Sequence, residues 1–241
     1  MREASQRCVN KTLLHLLSET ISREIPGDLS WQLAPDPDDP DEQTLLFIYP
    51  TAFPEQLVYL RQVVKVELGA RSDIEPTQEI VIHPYVTKAF PDQLPQEHFS
   101  VRAVSPERTF WEKAMLLQEE TFRPPEKKRQ ARLARHYYDL YRLVEAGIGE
   151  KASGDLELFN RIAAHRRVYF PHAWVDYSSL CPGSLRLVPP DKQLSDWRSD
   201  YAAMKDEMFF GEPPVFEDMI KIVQEFQDSF NRKAKEMQGA T

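Results

Sequence analysis

Residues Ser105-Pro106-Glu107-Arg108-Thr109-Phe110-Trp111-Glu112-Lys113 divide the chain in character. Serine accepts from the first free backbone N–H groups of a helix. Proline pre-sets the backbone of the first turn without needing a donor of its own. An acid beside it meets the positive end of the helix dipole. The triplet Ser105-Pro106-Glu107 is therefore a helix start, and Phe110, Ala114, Leu117 and Thr121 continue as one stripe, flanked by Trp111 and Met115. That spacing predicts a helix over Pro106–Thr121.

Working outward, the residues before this point read as strands and those after it as helices. Strands are expected at Leu29 to Leu33, Thr44 to Tyr49, Gln62 to Leu68, Glu79 to Val86 and His98 to Ala103. A helix over Ala4 to Ile25 precedes them, with Val9, Leu13, Leu16, Leu17 and Ile21 at helical spacing and Pro26-Gly27 as its stop. After residue 121, helices are expected at Gln130–Ala146, Asp155–Arg167, Gln193–Phe209 and Val215–Ala234. Strands followed by a run of helices imply an α+β chain. The seam near residue 104 divides it into a sheet-bearing part, 1–104, and an all-helical part, 105–241. Between the first two strands, residues 35–42 hold five acids and three prolines; a stiff, solvated hairpin tip suits them better than a metal loop.

Composition narrows the functional classes. The 241 residues are 41% hydrophobic and 28% charged, as in folded soluble domains. A net charge of −8 argues against a DNA-coating protein or a binder of anionic membranes. No apolar run approaches the ~18 residues that span a bilayer, so the expected setting is the cytoplasm, with no membrane partner. Cys8 and Cys181 stand far apart in no metal-ligand spacing and are expected to be buried small hydrophobes. Phosphate-binding glycine loops, a Gly-x-Ser-x-Gly elbow and histidines at metal-ligand spacing are all missing.

Four features could carry chemistry. On the strand Gln62 to Leu68, alternation places Val63, Lys65 and Glu67 on one face, either as a solvent-facing ion pair or as part of a site. Lys113 borders the apolar stripe of its helix, where it can lay its stem over the core or deliver an ammonium to a phosphate. Asp139 lies off the stripe formed by Leu133, Tyr137, Leu140 and Val144, on the side of Arg135 and Arg142, and helical ion pairing would explain it equally well. Finally, Arg123, Lys127, Lys128, Arg129, Arg132, Arg135 and Arg142 face only Glu126 and Asp139, a +5 island in an acidic chain. It suits a phosphate-facing surface, and a solvated helix face nearly as well.

The block Ser105 to Lys113 with Leu116-Leu117 and Glu119-Glu120, the block Arg135-His136-Tyr137-Tyr138-Asp139-Leu140-Tyr141-Arg142-Leu143, and the stretch Val64 to Ser72 with Glu75-Pro76 together resemble the AbiEii family of toxin nucleotidyltransferases. Weaker echoes follow at Trp197, Asp200, Tyr201 and Phe216-Glu217. The resemblance implies a mixed-sheet nucleotidyltransferase-like core followed by an all-helical carboxyl-terminal domain. It implies transfer of a nucleotide from an NTP, with Mg2+, to an acceptor such as tRNA, and a cognate antitoxin. By the same resemblance Glu67 is the later carboxylate of the core strand and a metal ligand. Lys113 steadies the triphosphate, Asp139 is the essential aspartate of the helical domain, and Lys65, Arg71 and Arg135 are substrate contacts. The family's Gly-Gly-Ser/Thr turn and the acidic pair behind it find no match before Ala4. The expectation is thus a member cut short at its amino end, without the metal-binding carboxylate pair and inactive unless extended; the alternative is a non-catalytic RNA- or protein-binding member of the same fold.

Overall fold

The computed structural model describes residues 2–50, 63–69, 73–91, 98–209 and 211–239. The chain forms two compact units, Met1–Ser72 and Asp73–Thr241.

In the first unit, α1 (Arg2–Arg7), a π-helical turn at Cys8–Leu13 and α2 (Leu14–Glu24) follow one another with helical backbone at both junctions. Val9 is buried, whereas Leu16 of the expected stripe is exposed, because the wider π turn shifts the phase of α2. Three strands, β1 (Gln32–Pro35), β2 (Thr44–Ile48) and β3 (Val63–Glu67), pair antiparallel in that order. The first strand begins later than expected because Leu29 donates its N–H to the Pro26 carbonyl and closes a turn there. Leu45 and Leu46 of β2 are the buried centre of the sheet. The proline-rich connection is a hairpin tip tied by its own acids. Asp39 accepts from the N–H groups of Asp41 and Gln43, and Asp36 accepts from that of Asp38.

The second unit opens with β4 (Thr77–Ile82) and β5 (Phe99–Val104), an antiparallel pair in register from Thr77 opposite Val104 to Ile82 opposite Phe99. The strand expected to run to Val86 stops early. Pro84 has no N–H for a ladder and instead starts α3 (Tyr85–Ala89). Every strand pairing among the described residues is antiparallel, where a mixed sheet was expected.

Helix α4 (Pro106–Thr121) begins where its sequence predicts, with the Ser105 hydroxyl accepting from the Arg108 N–H. It is the central helix of this unit. It packs against α5 (Arg135–Glu145), α6 (Ile148–Ser153) and α7 (Leu156–Tyr169), while α5 also packs against α9 (Phe216–Gly239). Trp111 sits edge-on to Phe159 at 4.8 Å between ring centroids, near Phe110, Phe226 and Phe230, and donates its indole N–H to the Ala152 carbonyl. Gly149 lets α6 approach, since a Cβ there would stand 3.1 Å from the Phe226 ring. A second aromatic centre joins Tyr137 to Trp197 of α8 (Asp191–Met208) at 4.8 Å, and the Tyr137 hydroxyl donates to the Leu187 carbonyl.

Two expectations of this region are corrected. Helix α5 starts at Arg135 rather than Gln130 because Asp200 accepts from the backbone N–H groups of Arg132 and Ala134, holding residues 130–134 outside the helix. Both cysteines are exposed rather than buried, Cys8 on the π turn and Cys181 in the loop after the 3-10 turn Tyr177–Ser179.

Candidate functional site

Lys113 leaves the middle of α4 where the helix's buried arc ends. Its ammonium Nζ lies 2.7 Å from Oδ2 of Asp139, which comes from α5. The ion pairing that helical spacing suggested for Asp139 does not form; Arg142 turns to Glu145 at 3.0 Å instead. Nδ1 of His136, one turn before Asp139, lies 3.5 Å from the same Nζ. An ammonium only donates, so this ring nitrogen faces it as an acceptor. The imidazole is neutral. Burial first, and then the charges of Lys113 and Arg135, push its pKa down to about 3. Arg135 itself is exposed at the start of α5. The second unit thus gathers a half-buried ammonium, a carboxylate and a neutral imidazole, with a guanidinium next in the chain. Such a group can hold an anionic oxygen on Lys113 and leave the carboxylate to accept a proton or a hydroxyl hydrogen bond.

In the first unit, Lys65 and Glu67 project together from β3, opposite Leu46 and Thr44 of β2. Their side chains meet at 2.8 Å, and Lys65 also comes within 3.9 Å of the buried carboxylate of Asp36. Arg71 lies outside the described residues. The fit to magnesium is poor. Mg2+ takes six oxygens in a near-regular octahedron, usually from one or two carboxylates together with waters and substrate phosphates. Glu67 offers one carboxylate already engaged by a lysine, and no group of three or more metal-capable side chains occurs among the described residues. No step of the chemistry is therefore assigned to a metal held by these side chains.

The basic island proves to be partly turned inward. Arg123 grips Glu120 with two hydrogen bonds of 2.6 Å, and Arg129 lies 3.4 Å from the same carboxylate while donating to Gln193. The ammonium of Lys127 sits over the Trp174 ring at 4.4 Å. Beside Glu120, Glu119 is held by two hydrogen bonds from Arg166, and Arg108 joins Asp73, Glu112 and the Glu75 carbonyl. The apolar stripe leaves Glu119, Glu120 and Arg108 off its face, so periodicity misses all three as buried. The one signal in the sequence is the pair of adjacent glutamates at the end of a helix with arginines soon after it. His136 is missed too, although it lies within the same short block as Asp139.

The sequence model of one protein family, described as Nucleotidyl transferase AbiEii toxin, Type IV TA system, matches residues 8–232. No curated protein and no solved structure matches the chain. No helix among the described residues is long and apolar enough to cross a membrane.

Proposed function

The chain belongs to the AbiEii family, the nucleotidyl transferase toxins of type IV toxin–antitoxin systems, and from this we propose that it transfers a nucleotide from a nucleoside triphosphate to an acceptor such as tRNA. The single observation that carries the site is the 2.7 Å contact of Lys113 with Asp139, which draws together two family blocks from separate helices. Lys113 donates to an oxygen of the triphosphate, and His136, neutral, adds no charge that would repel the ammonium. As Lys113 turns to the phosphate, the Asp139 carboxylate becomes free to accept from the acceptor hydroxyl. That hydroxyl oxygen then bonds to the α-phosphorus, the bond from the α-phosphorus to the bridging oxygen breaks, pyrophosphate leaves, and the proton passes to Asp139. Arg135, next to His136 on α5, adds a phosphate contact, and Arg71 is a substrate contact by the family block alone. Glu67, with Lys65 beside it, is the carboxylate of the nucleotidyltransferase core strand, and a cognate antitoxin counters the activity.

The test is label transfer from each NTP to total tRNA in magnesium buffer. The wild-type chain should label an acceptor, and Asp139→Ala should lower the rate by about a hundred-fold or more with an unchanged circular dichroism spectrum. Transfer that survives Asp139→Ala, or no transfer from any NTP, overturns the reading. A second reading, a binding member of the fold without catalysis, is favoured by the poor fit of the described carboxylates to magnesium. RNA binding without label transfer would select it.

A further inference from the structure

The second unit contains several charged clusters, and their balance and burial differ. Asp73 and Glu112 face Arg108 and Arg161, two acids against two cations. Glu119 faces Arg166, and Asp139 faces Lys113, one against one. Glu120 faces the guanidiniums of both Arg123 and Arg129, one buried acid against two cations. All three side chains are at least 86% buried, with 14% of Arg123, 10% of Arg129 and 8% of Glu120 exposed. The carboxylate of Asp196 stands 3.9 Å from Arg129, but it is 75% exposed and water screens it. Nε and Nη1 of Arg129 are buried without a hydrogen bond. The Trp197 ring 4.1 Å from its guanidinium and the Gln193 side chain compensate Arg129 in part, and a counter-anion would offset the remaining cost of burying the charge.

Arg123 and Arg129 of this cluster line a cleft of about 610 Å³, a volume suited to a small ligand. Lys127, Lys128 and Lys192 line it as exposed side chains. Lys192 and Gln193 belong to the first turn of α8, whose N-cap, Pro190, supplies no side-chain acceptor, so the positive end of that 18-residue helix also faces the cleft. Of the acids in the lining, Asp200 is occupied by two backbone N–H groups, and Glu126 and Asp196 are exposed to water. Glu120 follows Lys113 by seven residues, on the same side of α4 and about 10 Å further along its axis.

We propose that this cleft binds a phosphate ester, held by Lys128 and Lys192 at the rim over the surplus charge of Arg129. The chemistry fits the phosphates of a free nucleotide and those of a nucleic-acid strand alike. The site goes beyond the transfer reading, because its support is charge balance and cleft lining, and it stands whether or not the chain transfers a nucleotide.

The experiment measures binding of three probes to the full chain: inorganic tripolyphosphate, ATP, and a labelled single-stranded oligoribonucleotide of roughly twelve nucleotides. Lys128→Ala with Lys192→Ala removes two exposed side chains that the fold does not use. At about 50 mM salt this double variant should weaken at least one probe by about ten-fold, while Lys221→Ala, exposed on α9 and outside the cleft lining, leaves that probe within about two-fold. Loss confined to the oligoribonucleotide assigns the cleft to a strand; loss of ATP or tripolyphosphate assigns it to a free nucleotide. Binding of all three probes at wild-type strength by the double variant overturns the site, as does failure of the wild type to bind any of them at millimolar concentration. Failure of the transfer reading shows separately, as absence of label on any acceptor.

Discussion

Two lysine–carboxylate pairs, one in each unit, have nearly the same geometry and different physical meaning. Lys65 and Glu67 meet at 2.8 Å, and Lys113 and Asp139 at 2.7 Å. The first pair is local: alternation along β3 puts the two side chains on one face, and they are 45% and 70% exposed. Whenever the strand forms, the pair can form. The second pair joins residues 26 apart, from α4 and α5, and its side chains are 23% and 37% exposed. It exists only while those helices are packed, and it sits where water screens it less. Contact distance thus says little about the worth of an ion pair; the origin of the partners and their burial say more. Glu119 with Arg166 carries the series to its buried end, with the glutamate 2% exposed.

That ordering can be broken by mutation, and the largest effect lies at the buried end. Arg166→Met leaves the Glu119 carboxylate inside the unit without its two charge-assisted hydrogen bonds. The expected loss is about 3–5 kcal/mol in urea unfolding. A loss below about 1 kcal/mol would mean that burial does not rank these pairs. The next effect is one of pH. His136 titrates near 6.5 when unfolded and near about 3 when folded. Between those values the unfolded chain holds a proton that the folded chain refuses, so acid favours unfolding. The contribution is intact above pH 6.5 and declines as the pH falls toward 3, by at most about 1.4 kcal/mol per pH unit. From about pH 6.5 to 5 the wild type should lose about 1.5–2 kcal/mol more than His136→Asn, in which no imidazole titrates. Parallel slopes for the two proteins would place the ring in contact with water. Asp139→Ala comes third, at about 1 kcal/mol of stability, small beside its expected effect on transfer.

The same contrast between local and tertiary causes explains what could be read from the amino acids. Helix α4 is bounded at Pro106 and Thr121 by sequence alone because its start is encoded within three residues. The α+β character follows from strands before that point and helices after it. The start of α5 is misplaced by periodicity because Asp200, from α8, holds residues 130–134. The short helices α3 and α6 follow a proline and a left-handed glycine, Gly147, and lie within stretches too brief for an apolar period to show. At the site, Lys113 and Asp139 stand out individually, one at the border of its stripe and one off it, but no spacing rule joins them. The buried charges Arg108, Glu119 and Glu120 are illegible for the same reason. A helical stripe marks apolar faces, whereas a charge is buried only where other elements bring its counter-charge.

The smallest effect tests the exposed end of the ordering. Lys65→Gln and Glu67→Gln should each change stability by no more than about 0.5 kcal/mol, because water screens the pair and β3 keeps its pairing to β2 through backbone hydrogen bonds. A double-mutant cycle on Lys65 and Glu67 should give a coupling smaller than one on Lys113 and Asp139, and an equal or larger value would break the comparison outright. The two readouts, stability and transfer, then part company in an informative way. Glu67→Gln keeps the shape of the side chain and removes only its charge. If that variant unfolds like the wild type and yet loses label transfer, Glu67 serves the chemistry that the family block implies, and exposure marks a carboxylate kept available for substrate. If transfer and stability both stay at wild-type values, the pair is a solvated feature of the strand, and the transfer chemistry must be sought around Lys113 and Asp139.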